Sequence, residues 1–408
     1  MEEKKSAVHE TRNLEKVLEF RRKPIKVIYV SSYIPRKCGI ATYTKDLTND
    51  INQLNPYALA EILAINRPEN NFSFPWEVKF KINQNDLESY IQAANYINQS
   101  EADLVILEHE FGLYGGKGGD YIITFTEVLK KPLVITFHTL IDDPGNEYGI
   151  VQKRLADSAT AITVMINASV QKLGEKYDVP EDKIAVISHG IPDLPFGATE
   201  YFKRKKRLTG KTILGNINLL SDSKGIEYSL EAVAKIVKGK PNVLYLVIGQ
   251  THPVVLAKDG EKYRNYLKKL VKKWGIEKNV RFINEYLPLD ELLEWLQTIE
   301  IYITPYLNPE QASSGALAYA IGAGKSCIST PYLYAQESLL EGRGLLVPFK
   351  DSEAIAKAVL EILNNPEKRA DMEKKAYQHG RFMTWSNVAL QHLDLFQAVL
   401  DENINHKQ

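Results

Sequence analysis

The sequence predicts two doubly wound α/β domains, each built on a parallel sheet. Three observations support this: the length of 408 residues, two series of short apolar strands, and a break after Ile191. The apolar runs are continuous and alternate with segments of helical length, as expected for parallel strands buried on both faces. The runs of the first series are Ile25–Val30, Leu59–Ile65, Leu104–Leu107, Leu133–Phe137, Ile162–Met165 and Ile184–Ile187. Those of the second are Thr212–Leu214, Val243–Ile248, Val280–Ile283, Ile301–Thr304, Cys327–Ser329 and Leu345–Val347.

The break between the domains contains the stretch Pro192–Gly197, which cannot continue a helix or a central strand. A basic run, Lys203–Arg207, follows it. We therefore place a charged extension at 1–24, a first domain at 25–195, a second domain at 205–378, and a terminal segment at 379–408. The terminal segment contains a predicted helix from Ser386 to about Leu400, whose apolar face has to pack on another element.

Composition excludes several classes of protein. Lys+Arg and Asp+Glu balance at 51 each, which removes a general attraction to nucleic acid. Cys38 and Cys327 are too far apart in sequence to indicate a disulfide framework or a metal site, and they fit a reducing cytoplasm. The start has no secretory signal, and no run approaches the roughly 18 apolar residues that span a bilayer. We read the cluster Arg21–Lys23 as a solvated entry to the first strand; peripheral contact with an anionic membrane is the alternative.

The loop after the first strand, PRKCGIATYT, carries Cys38 and Gly39 directly before a helix. A glycine at a helix start lets backbone N–H groups approach an oxygen-rich ligand. A tight turn at Gly39 explains the same pattern equally well.

Three histidines end strands of the first series: His109, His138 and His189. Ligands of doubly wound sheets bind beyond the carboxyl ends of the strands, so we expect His138 to contact a ligand. A single histidine there is more often a structural group. A zinc site built from all three is disfavoured by their dispersed spacing.

The second half offers a phosphate site. Asn216 follows its first strand, and Ser223-Lys224-Gly225 opens a helix, which places Lys224 where it can neutralise phosphate. Further on, Ser313 or Ser314 can cap a helix over Ala316–Ile321, whose first N–H groups, from Gly315 onward, carry partial positive charge.

Two glycine-rich stretches do not form nucleotide-binding motifs. GAGKS is not a P-loop, because a helix residue, Tyr319, occupies the position of the required first glycine. Gly322 and Gly324 are better explained as the end of that helix. The loop Gly115–Gly119 lacks the spacing of a dinucleotide fingerprint, and we expect a mobile loop facing the cleft.

From about residue 25 onward, these segments in their order resemble the retaining glycosyltransferases of family 4, which have the GT-B fold. The matching pieces are PRKCGIATYT, VITFH, VISHGIPD, SDSKGIEYSLEA, YLVIG, VRFINEYLPLDELLEWL, the helix GALAYAIGAGK and RGLLVPFKD. The resemblance implies two Rossmann-like domains facing each other across a cleft, with the terminal helix crossing back to the first domain. It also implies sugar transfer from a nucleoside-diphosphate sugar to a hydroxyl acceptor, with retention and without a metal or other cofactor.

The resemblance also implies residue roles. Lys224 would bind the donor diphosphate and act in catalysis, His138 would contact the donor sugar, and Gly39 would lie near the phosphates. The base would bind near Glu285, Tyr286 and Leu287. The remaining expected contacts are to the diphosphate from Asn216, Ser313, Ser314 and Gly315, to the donor sugar from Glu310 and Gln311, to the nucleoside from Tyr319, and on the acceptor side from Cys38, His109 and Gly116.

The sequence departs from that family at two places. Asn216 stands where the family usually has an arginine. Gln311 and Tyr319 stand where it has two glutamates eight residues apart, with Glu310 adjacent to the first. The second glutamate normally accepts ribose hydroxyls, so donor recognition must differ here. A retaining phosphorylase on the same scaffold and a non-catalytic sugar or nucleotide binder are therefore alternative hypotheses.

Overall fold

The structure is a computed structural model that describes residues 24–67, 69 and 72–405. The basic cluster Arg21–Lys23 and the rest of the predicted extension up to residue 23 lie outside these ranges.

The first domain is a seven-stranded parallel sheet with helices on both faces, in the strand order β3-β2-β1-β4-β5-β6-β7. Its strands are β1 (Val27–Ser31), β2 (Glu61–Asn66), β3 (Val78–Asn83), β4 (Leu104–His109), β5 (Leu133–Phe137), β6 (Ala161–Val164) and β7 (Ile184–Val186). Its helices are α1 (Gly39–Leu54), α2 (Leu87–Gln99), α3 (Tyr121–Val128), α4 (Glu147–Ser158) and α5 (Asn167–Tyr177).

The second domain is a six-stranded parallel sheet in the order β10-β9-β8-β11-β12-β13. Its strands are β8 (Thr212–Ile217), β9 (Val243–Ile248), β10 (Val280–Ile283), β11 (Ile301–Thr304), β12 (Ser326–Ser329) and β13 (Gly344–Leu346). The helices from the linker to the end are α6 (Thr199–Lys205), α7 (Ile226–Ile236), α8 (Pro253–Asp259), α9 (Lys262–Lys273), α10 (Leu289–Thr298), α11 (Gly315–Gly322), α12 (Leu333–Ser338), α13 (Ser352–Asn364), α14 (Pro366–Arg381) and α15 (Trp385–Asn405).

The predicted fold class of two doubly wound parallel-sheet domains is confirmed, and each of the twelve apolar runs forms a strand. The sequence did not reveal β3. This strand lies at the edge of its sheet, and its residues alternate between half-buried and exposed, with Lys79 and Lys81 on the exposed face. Charged side chains are common on edge strands, so the run lacks the continuous apolar character used to find the others.

The linker is anchored to the second domain by a buried cation. Lys203, in the predicted basic run, is 5% exposed. Its ammonium lies 2.7 Å from Glu200 and 3.2 Å from the carboxylate of Glu300. Glu300 also accepts a hydrogen bond from the backbone of Ile213, at the start of β8. The Lys203 ammonium in the basic run therefore pairs with one buried carboxylate, Glu300, and one exposed carboxylate, Glu200, and is unavailable to an external anion.

Helix α15 packs against α1 of the first domain. Trp385 lies 5.3 Å from Tyr43, ring to ring, and Ser386 is 2.7 Å from the carboxylate of Asp50. Gly190 leaves room for this contact, because a Cβ there would lie 2.0 Å from the Trp385 ring. Backbone hydrogen bonds between Ile191 and the residues before α15 complete the crossing. The end of the chain is thereby attached both to the first domain and to the linker.

His392, on α15, provides a test of how this helix packs. The side chain is 1% exposed, and neither ring nitrogen has a hydrogen-bond partner among the described residues. Burial lowers the pKa of His392 to about 4, so the folded protein resists its protonation while the unfolded chain takes up the proton near pH 6.5. Stability associated with neutral His392 is therefore lost as the pH falls from about 6.5 to about 4.

We expect His392→Leu to stabilise the protein more at pH 5 than at pH 7.5, by about 2 kcal/mol in the free energy of unfolding. Urea unfolding of both proteins at the two pH values measures this difference. A gain that does not depend on pH would contradict the burial of an unpartnered imidazole.

Candidate active site

The carboxyl ends of both sheets meet between the domains, and most of the predicted site residues lie there. Ligands of doubly wound folds bind at such edges, because the loops that follow the strands converge and expose backbone groups.

Helix α1 begins at this edge. The thiol of Cys38 caps the helix by accepting the N–H of Ala41 at 3.4 Å, and Gly39 is its exposed first residue. Gly39 has no positive φ, and a Cβ built there would meet nothing within 4 Å. A tight turn therefore does not require this glycine. The space above it leaves the first N–H groups of α1 accessible.

His138 follows β5 and forms a buried pair with Glu108 of β4. Its Nε2 lies 2.8 Å from the Glu108 carboxylate, and the two side chains are 3% and 0% exposed. The Tyr43 ring packs edge-on at 4.9 Å. The other Glu108 oxygen has no partner among the described residues. The orientation of the His138 ring thus depends on one hydrogen bond to a fully buried carboxylate.

The other two histidines have separate surroundings. His109 is 1% exposed and packs among the rings of Phe111, Tyr114 and Phe137 at 4.8, 5.6 and 5.4 Å. Burial, with a smaller effect of His138, lowers the pKa of His109 to about 3. An acceptor contact from His109 would require that aromatic cluster to open.

His189 is directed at the second domain instead. Its Nδ1 lies 2.7 Å from the Gly190 carbonyl oxygen, and burial lowers the pKa of His189 to about 4. A Cβ on Gly315 would lie 2.8 Å from the His189 Nε2. The neutral ring is therefore packed against the first residue of α11, which explains why a glycine is needed there.

Lys224 lies at the start of α7, in a turn that packs on the segment after β11. A Cβ on Gly225 would be 2.2 Å from the Pro305 carbonyl oxygen, so the turn and this segment are in close contact. The Lys224 ammonium lies 4.0 Å from the centroid of the Tyr306 ring. Burial lowers the pKa of Lys224 to about 8. Among the described residues, no carboxylate lies within 4.0 Å of this ammonium.

Asn216 is fully buried in β8. Its amide donates to the Ile303 carbonyl oxygen at 2.8 Å and accepts from the Asn218 amide at 2.7 Å. Asn218 in turn accepts the hydroxyl hydrogen of Tyr306, the ring beneath Lys224. In this conformation Asn216 orders the base of the lysine site, and both ends of its amide are occupied.

The segment before α11 crosses to the first domain. Ser313 donates a hydrogen bond to the carbonyl oxygen of His138 at 3.0 Å. Ser314 is the capping residue, since its hydroxyl accepts the N–H of Leu317 at 3.3 Å. The Gln311 amide holds the segment by donating to the Ser313 carbonyl oxygen at 2.9 Å. The predicted sugar and phosphate residues are thus connected through one loop.

Two contacts made by glutamates also join the two domains, farther from α1: an ion pair and a carboxylate that accepts a backbone N–H. Glu310 pairs with Lys172 of α5. The carboxylate of Glu337, on α12, accepts the backbone N–H of Asn167 at 2.9 Å and thereby caps the start of α5. Glu310 is exposed and is engaged by this ion pair rather than directed at His138.

The predicted nucleoside residues differ in their exposure. Tyr286 is 38% exposed and reaches α1, with its hydroxyl 3.4 Å from that of Thr42 and its ring centroid 5.5 Å from the Lys37 ammonium. Leu287 is buried in the core of the second domain, whereas Glu285 is exposed. Tyr286 is therefore the member of this group that spans the cleft.

Tyr319 also reaches α1. Its hydroxyl lies 3.3 Å from the Asp46 carboxylate, and burial raises the pKa of Asp46 to about 6. Because that hydroxyl is engaged by the first domain, contact with a ribose would have to replace the Asp46 bond or use the face of the ring.

The two glycine-rich stretches have different structural roles: one is a loop packed on a helix and the other ends a helix. Gly116 has a φ of 85° and a Cβ there would lie 1.9 Å from the Asp120 carboxylate, so the Gly115–Gly119 loop is packed closely on α3. Gly322 ends α11 and Gly324 has a φ of 64°, which leads the chain into β12. GAGKS does not form a P-loop, because Tyr319 lies inside α11 and Lys325 is followed by strand β12, where a P-loop requires a helix.

We expect Tyr319→Ala to raise the donor KM more than it lowers kcat, because the ring lies on the helix expected to face the ribose. Tyr319→Phe is the matched control, since it removes only the hydroxyl that bonds Asp46. Initial rates over a range of donor concentrations measure the effect. Unchanged kinetics together with a lower melting temperature in Tyr319→Ala would assign the residue to domain packing alone.

Sequence reasoning missed several residues of the interface. Glu108 was detectable as a charged residue inside a buried strand. Thr42 and Asp46 were detectable by their spacing of four on α1, which places them on one helix face. Tyr306 and Asn218 gave no such signal, because their contact with each other depends on how β8 and β11 lie side by side.

The described ranges contain neither a cluster of metal-ligating side chains nor a membrane-spanning helix. No group of three His, Cys, Asp or Glu side chains is arranged to hold a metal ion there. None of the helices described combines the length and apolar character needed to cross a bilayer.

Two facing Rossmann-like domains with this strand order, closed by a helix that returns to the first domain, constitute the GT-B fold. Residues 198–379, which make up most of the second domain, match the family described as Glycosyl transferases group 1.

Curated relatives are similar at a lower level. The D-inositol 3-phosphate glycosyltransferase of Corynebacterium urealyticum is 27% identical over 258 residues, covering 61% of this chain and 59% of that protein. The one from Corynebacterium glutamicum is 27% identical over 303 residues, covering 68% and 70%. The chain thus matches less than two thirds of the length of the first of these relatives.

Solved structures agree on the fold. Sucrose-phosphate synthase from Thermosynechococcus elongatus has a TM-score of 0.74 at 15% identity, covering 93% of this chain and all of that one. Anabaena HepE in complex with UDP has a TM-score of 0.72 at 15% identity, covering 92% and 100%. At these identities the likeness concerns the architecture alone.

Proposed function

We propose that this protein transfers a sugar from a nucleoside-diphosphate sugar to a hydroxyl acceptor in the cleft between its domains. The observation that carries the proposal is Lys224, a half-buried ammonium at the carboxyl edge of the second sheet that has no carboxylate within 4.0 Å in the part of the chain described. A cation kept unpaired at such a place costs stability, and an anionic ligand would offset that cost. A diphosphate is the ligand that the fold would bring there.

The start of α11 supports the same assignment. Its cap, Ser314, leaves the following N–H groups of an eight-residue helix directed at the cleft edge. A helix N-terminus carries about half a unit of positive charge. Together with Lys224 it would stabilise the charge that grows on a leaving diphosphate, so the reaction would need no metal ion. Gly39, with open space above it, would supply N–H groups from the opposite domain.

His138 is the residue we assign to the donor sugar. Glu108 fixes its ring, and Ser313 ties its carbonyl oxygen to the segment before α11. The sugar would therefore lie between His138 of the first domain and the start of α11 in the second. Retention of configuration is part of the proposal and follows from the resemblance to family 4, as do the expected base contacts at Tyr286 and the neighbouring residues.

The comparisons agree with the proposal. The curated relatives are glycosyltransferases that act on an inositol phosphate, and HepE has been solved with UDP and with UDP-glucose. An acceptor of the polyol or sugar type, presenting a hydroxyl to the first domain, is what we propose by analogy.

One observation favours a second candidate. The Asn216 amide and the Tyr319 hydroxyl are both engaged within the protein, at places where the family uses charged side chains on the donor. A retaining phosphorylase needs a site for inorganic phosphate but none for a ribose. Lys224 and the start of α11 would serve that reaction as well.

A donor panel separates these functions. Purified protein is incubated with UDP-, GDP- and ADP-sugars in excess EDTA, and release of the nucleoside diphosphate is measured; a parallel reaction follows phosphate-dependent release of a sugar phosphate. We expect nucleoside diphosphate release that EDTA does not abolish. Sugar phosphate formation would instead establish the phosphorylase, and stabilisation by a ligand without turnover would indicate a binding protein. Activity lost in EDTA and restored by manganese would contradict the metal-independent mechanism.

A further inference from the structure

Two arginines at the carboxyl edge of the first sheet lack a carboxylate partner. Arg67 directly follows β2, and Arg36 lies in the loop between β1 and α1, three residues before Gly39. Strands β1 and β2 are neighbours in the sheet, so their ends lie side by side. Both side chains are half-buried. Within the described ranges, no carboxylate lies within 4.0 Å of either guanidinium.

Arg36 is incompletely satisfied. Its Nη1 is buried and has no hydrogen-bond partner among the residues described. Burial lowers the pKa of Arg36, and the positive charge of Arg67, which follows the neighbouring strand, lowers it as well. Glu69 acts on Arg36 with the opposite sign, from beyond ion-pair distance. A buried donor without an acceptor and a like charge nearby are both unfavourable.

Arg67 is held in place by a neutral residue. Its Nε donates to the side-chain oxygen of Gln84 at 2.8 Å. Gln84 is 7% exposed and is fixed in turn, because its backbone carbonyl oxygen accepts the Tyr90 hydroxyl at 3.0 Å and its amide donates to the Gly112 carbonyl oxygen at 3.3 Å. The guanidinium is thus oriented without being neutralised.

The other buried or half-buried arginines of the described ranges pair with a carboxylate. Buried Arg264 pairs with Glu261 at 3.1 Å, Arg343 with Glu341 at 2.7 Å, and Arg369 with Glu373 at 2.8 Å. The fold therefore provides carboxylates where an arginine serves packing. Two neighbouring arginines left without one, at the edge of a sheet where ligands bind, indicate that a ligand supplies the negative charge.

We propose that Arg36 and Arg67 form an anion subsite of the first domain, and that the acceptor carries a phosphate or carboxylate group bound there. This inference rests on the proposed transferase function, in which the first domain binds the acceptor. Guanidinium groups suit these anions because their planar N–H donors match two oxygens at once. With the anionic group held beyond β1 and β2, an acceptor hydroxyl would be presented along the Gly39 loop toward the cleft.

Direct binding tests the subsite without requiring turnover. Inorganic phosphate is titrated by calorimetry into Lys224→Met protein, in which the proposed diphosphate site is weakened, and into the same background carrying Arg36→Gln or Arg67→Gln. We expect each arginine substitution to weaken phosphate binding by about 10-fold or more, as for one lost charged hydrogen bond. Arg154→Gln is the matched control, since this exposed first-domain arginine already pairs with Glu127. Equal phosphate affinity in all four proteins would overturn the proposal.

Stability without ligand gives an independent readout. Arg36 is a cation with an unsatisfied donor and a like charge nearby, so we expect the melting temperature of Arg36→Gln to equal or exceed that of the unsubstituted protein. If Arg36 instead stabilised the fold, its removal would lower the melting temperature. Arg67→Lys keeps the charge and serves if Arg67→Gln does not fold. A clear fall in melting temperature for Arg36→Gln, with phosphate affinity unchanged, would assign Arg36 to packing and overturn the subsite.

Acceptor kinetics then distinguish the sources of the anion. With the donor found above, transfer is compared for myo-inositol and myo-inositol 3-phosphate, and for glucose, glucose 6-phosphate and glucuronate. We expect the anionic member of a pair to be preferred, and Arg36→Gln to raise the KM of the anionic acceptor by about 10- to 100-fold while changing the KM of the neutral acceptor much less. Equal use of neutral and anionic acceptors, unaffected by Arg36→Gln, would overturn the acceptor assignment. Failure to use any donor would refute the proposed function, and the phosphate titration would still decide whether the subsite exists.

Discussion

Lys224→Met is expected to lower kcat/KM for the donor by about 30- to 1000-fold, equivalent to about 2–4 kcal/mol of lost transition-state stabilisation. Negative charge grows on the leaving diphosphate, so a nearby cation helps more in the transition state than in the ground state. The burial that lowers the pKa of Lys224 to about 8 also limits screening by water. Asn216 supplies no charge in place of the family's arginine, which shifts the expectation toward the upper end of the range.

Steady-state rates with the preferred donor measure this loss. Lys238→Met is the control, because Lys238 is an exposed lysine of the same domain. The substitution at Lys224 should also weaken binding of the nucleoside diphosphate while leaving binding of the bare nucleoside nearly unaffected. A folded Lys224→Met protein with kcat/KM within about threefold of the original would mean that the phosphates bind elsewhere.

His138→Ala is expected to have the second largest effect, on activity and stability together. Glu108 is fully buried, and its Oε1 already has no hydrogen-bond partner among the described residues. The substitution also removes the His138 ring that bonds Oε2, so both oxygens of the carboxylate are left without a partner. Breaking such a pair costs about 3–5 kcal/mol in the free energy of unfolding. Loss of the proposed sugar contact should lower kcat/KM by about 5- to 150-fold, the equivalent of leaving one buried sugar hydroxyl unsatisfied at about 1–3 kcal/mol.

The control keeps the pair but removes its charge. In the double variant Glu108→Gln, His138→Gln, two amides replace the carboxylate and the ring, and we expect most of the stability to return while activity stays low. Glu108→Gln alone tests positioning: it should lower kcat with little change in the donor KM, because Glu108 touches His138 and not the sugar. If His138→Ala lowers the free energy of unfolding by less than about 1 kcal/mol, the pair contributes little to the stability of the first domain.

Much of the fold was predictable from the sequence. Continuous apolar runs identified twelve strands because a parallel strand covered on both faces has to be apolar throughout. The edge strand β3 escaped because its apolar residues alternate with Lys79 and Lys81, whereas the other strands were found as continuous apolar runs. The alternation is itself the signal of a strand with one covered face, so the sequence contained the information.

The location of the site was also predictable in part. Gly39 begins α1, His138 directly follows β5, and Lys224 lies two residues before α7, so the topology of a doubly wound sheet places them near a ligand. The resemblance of ordered segments to a family added roles that no spacing supplies. Residue chemistry at single places, by contrast, was ambiguous: Asn216 was expected at the diphosphate and is buried in the sheet with its amide engaged.

The sequence by itself determined the architecture and the edge at which ligands bind, because burial and chain direction are local properties that the residue pattern records. Only the tertiary structure decided which side chains share that edge. In the folded protein His138 bonds Glu108, the Tyr319 hydroxyl bonds Asp46, and Ser313 bonds the His138 carbonyl oxygen. Arg36 and Arg67 have no carboxylate within 4.0 Å in the described ranges. These contacts join residues 30 to 273 positions apart, and their formation depends on how strands order themselves and how two domains close. No periodicity within a segment carries that information.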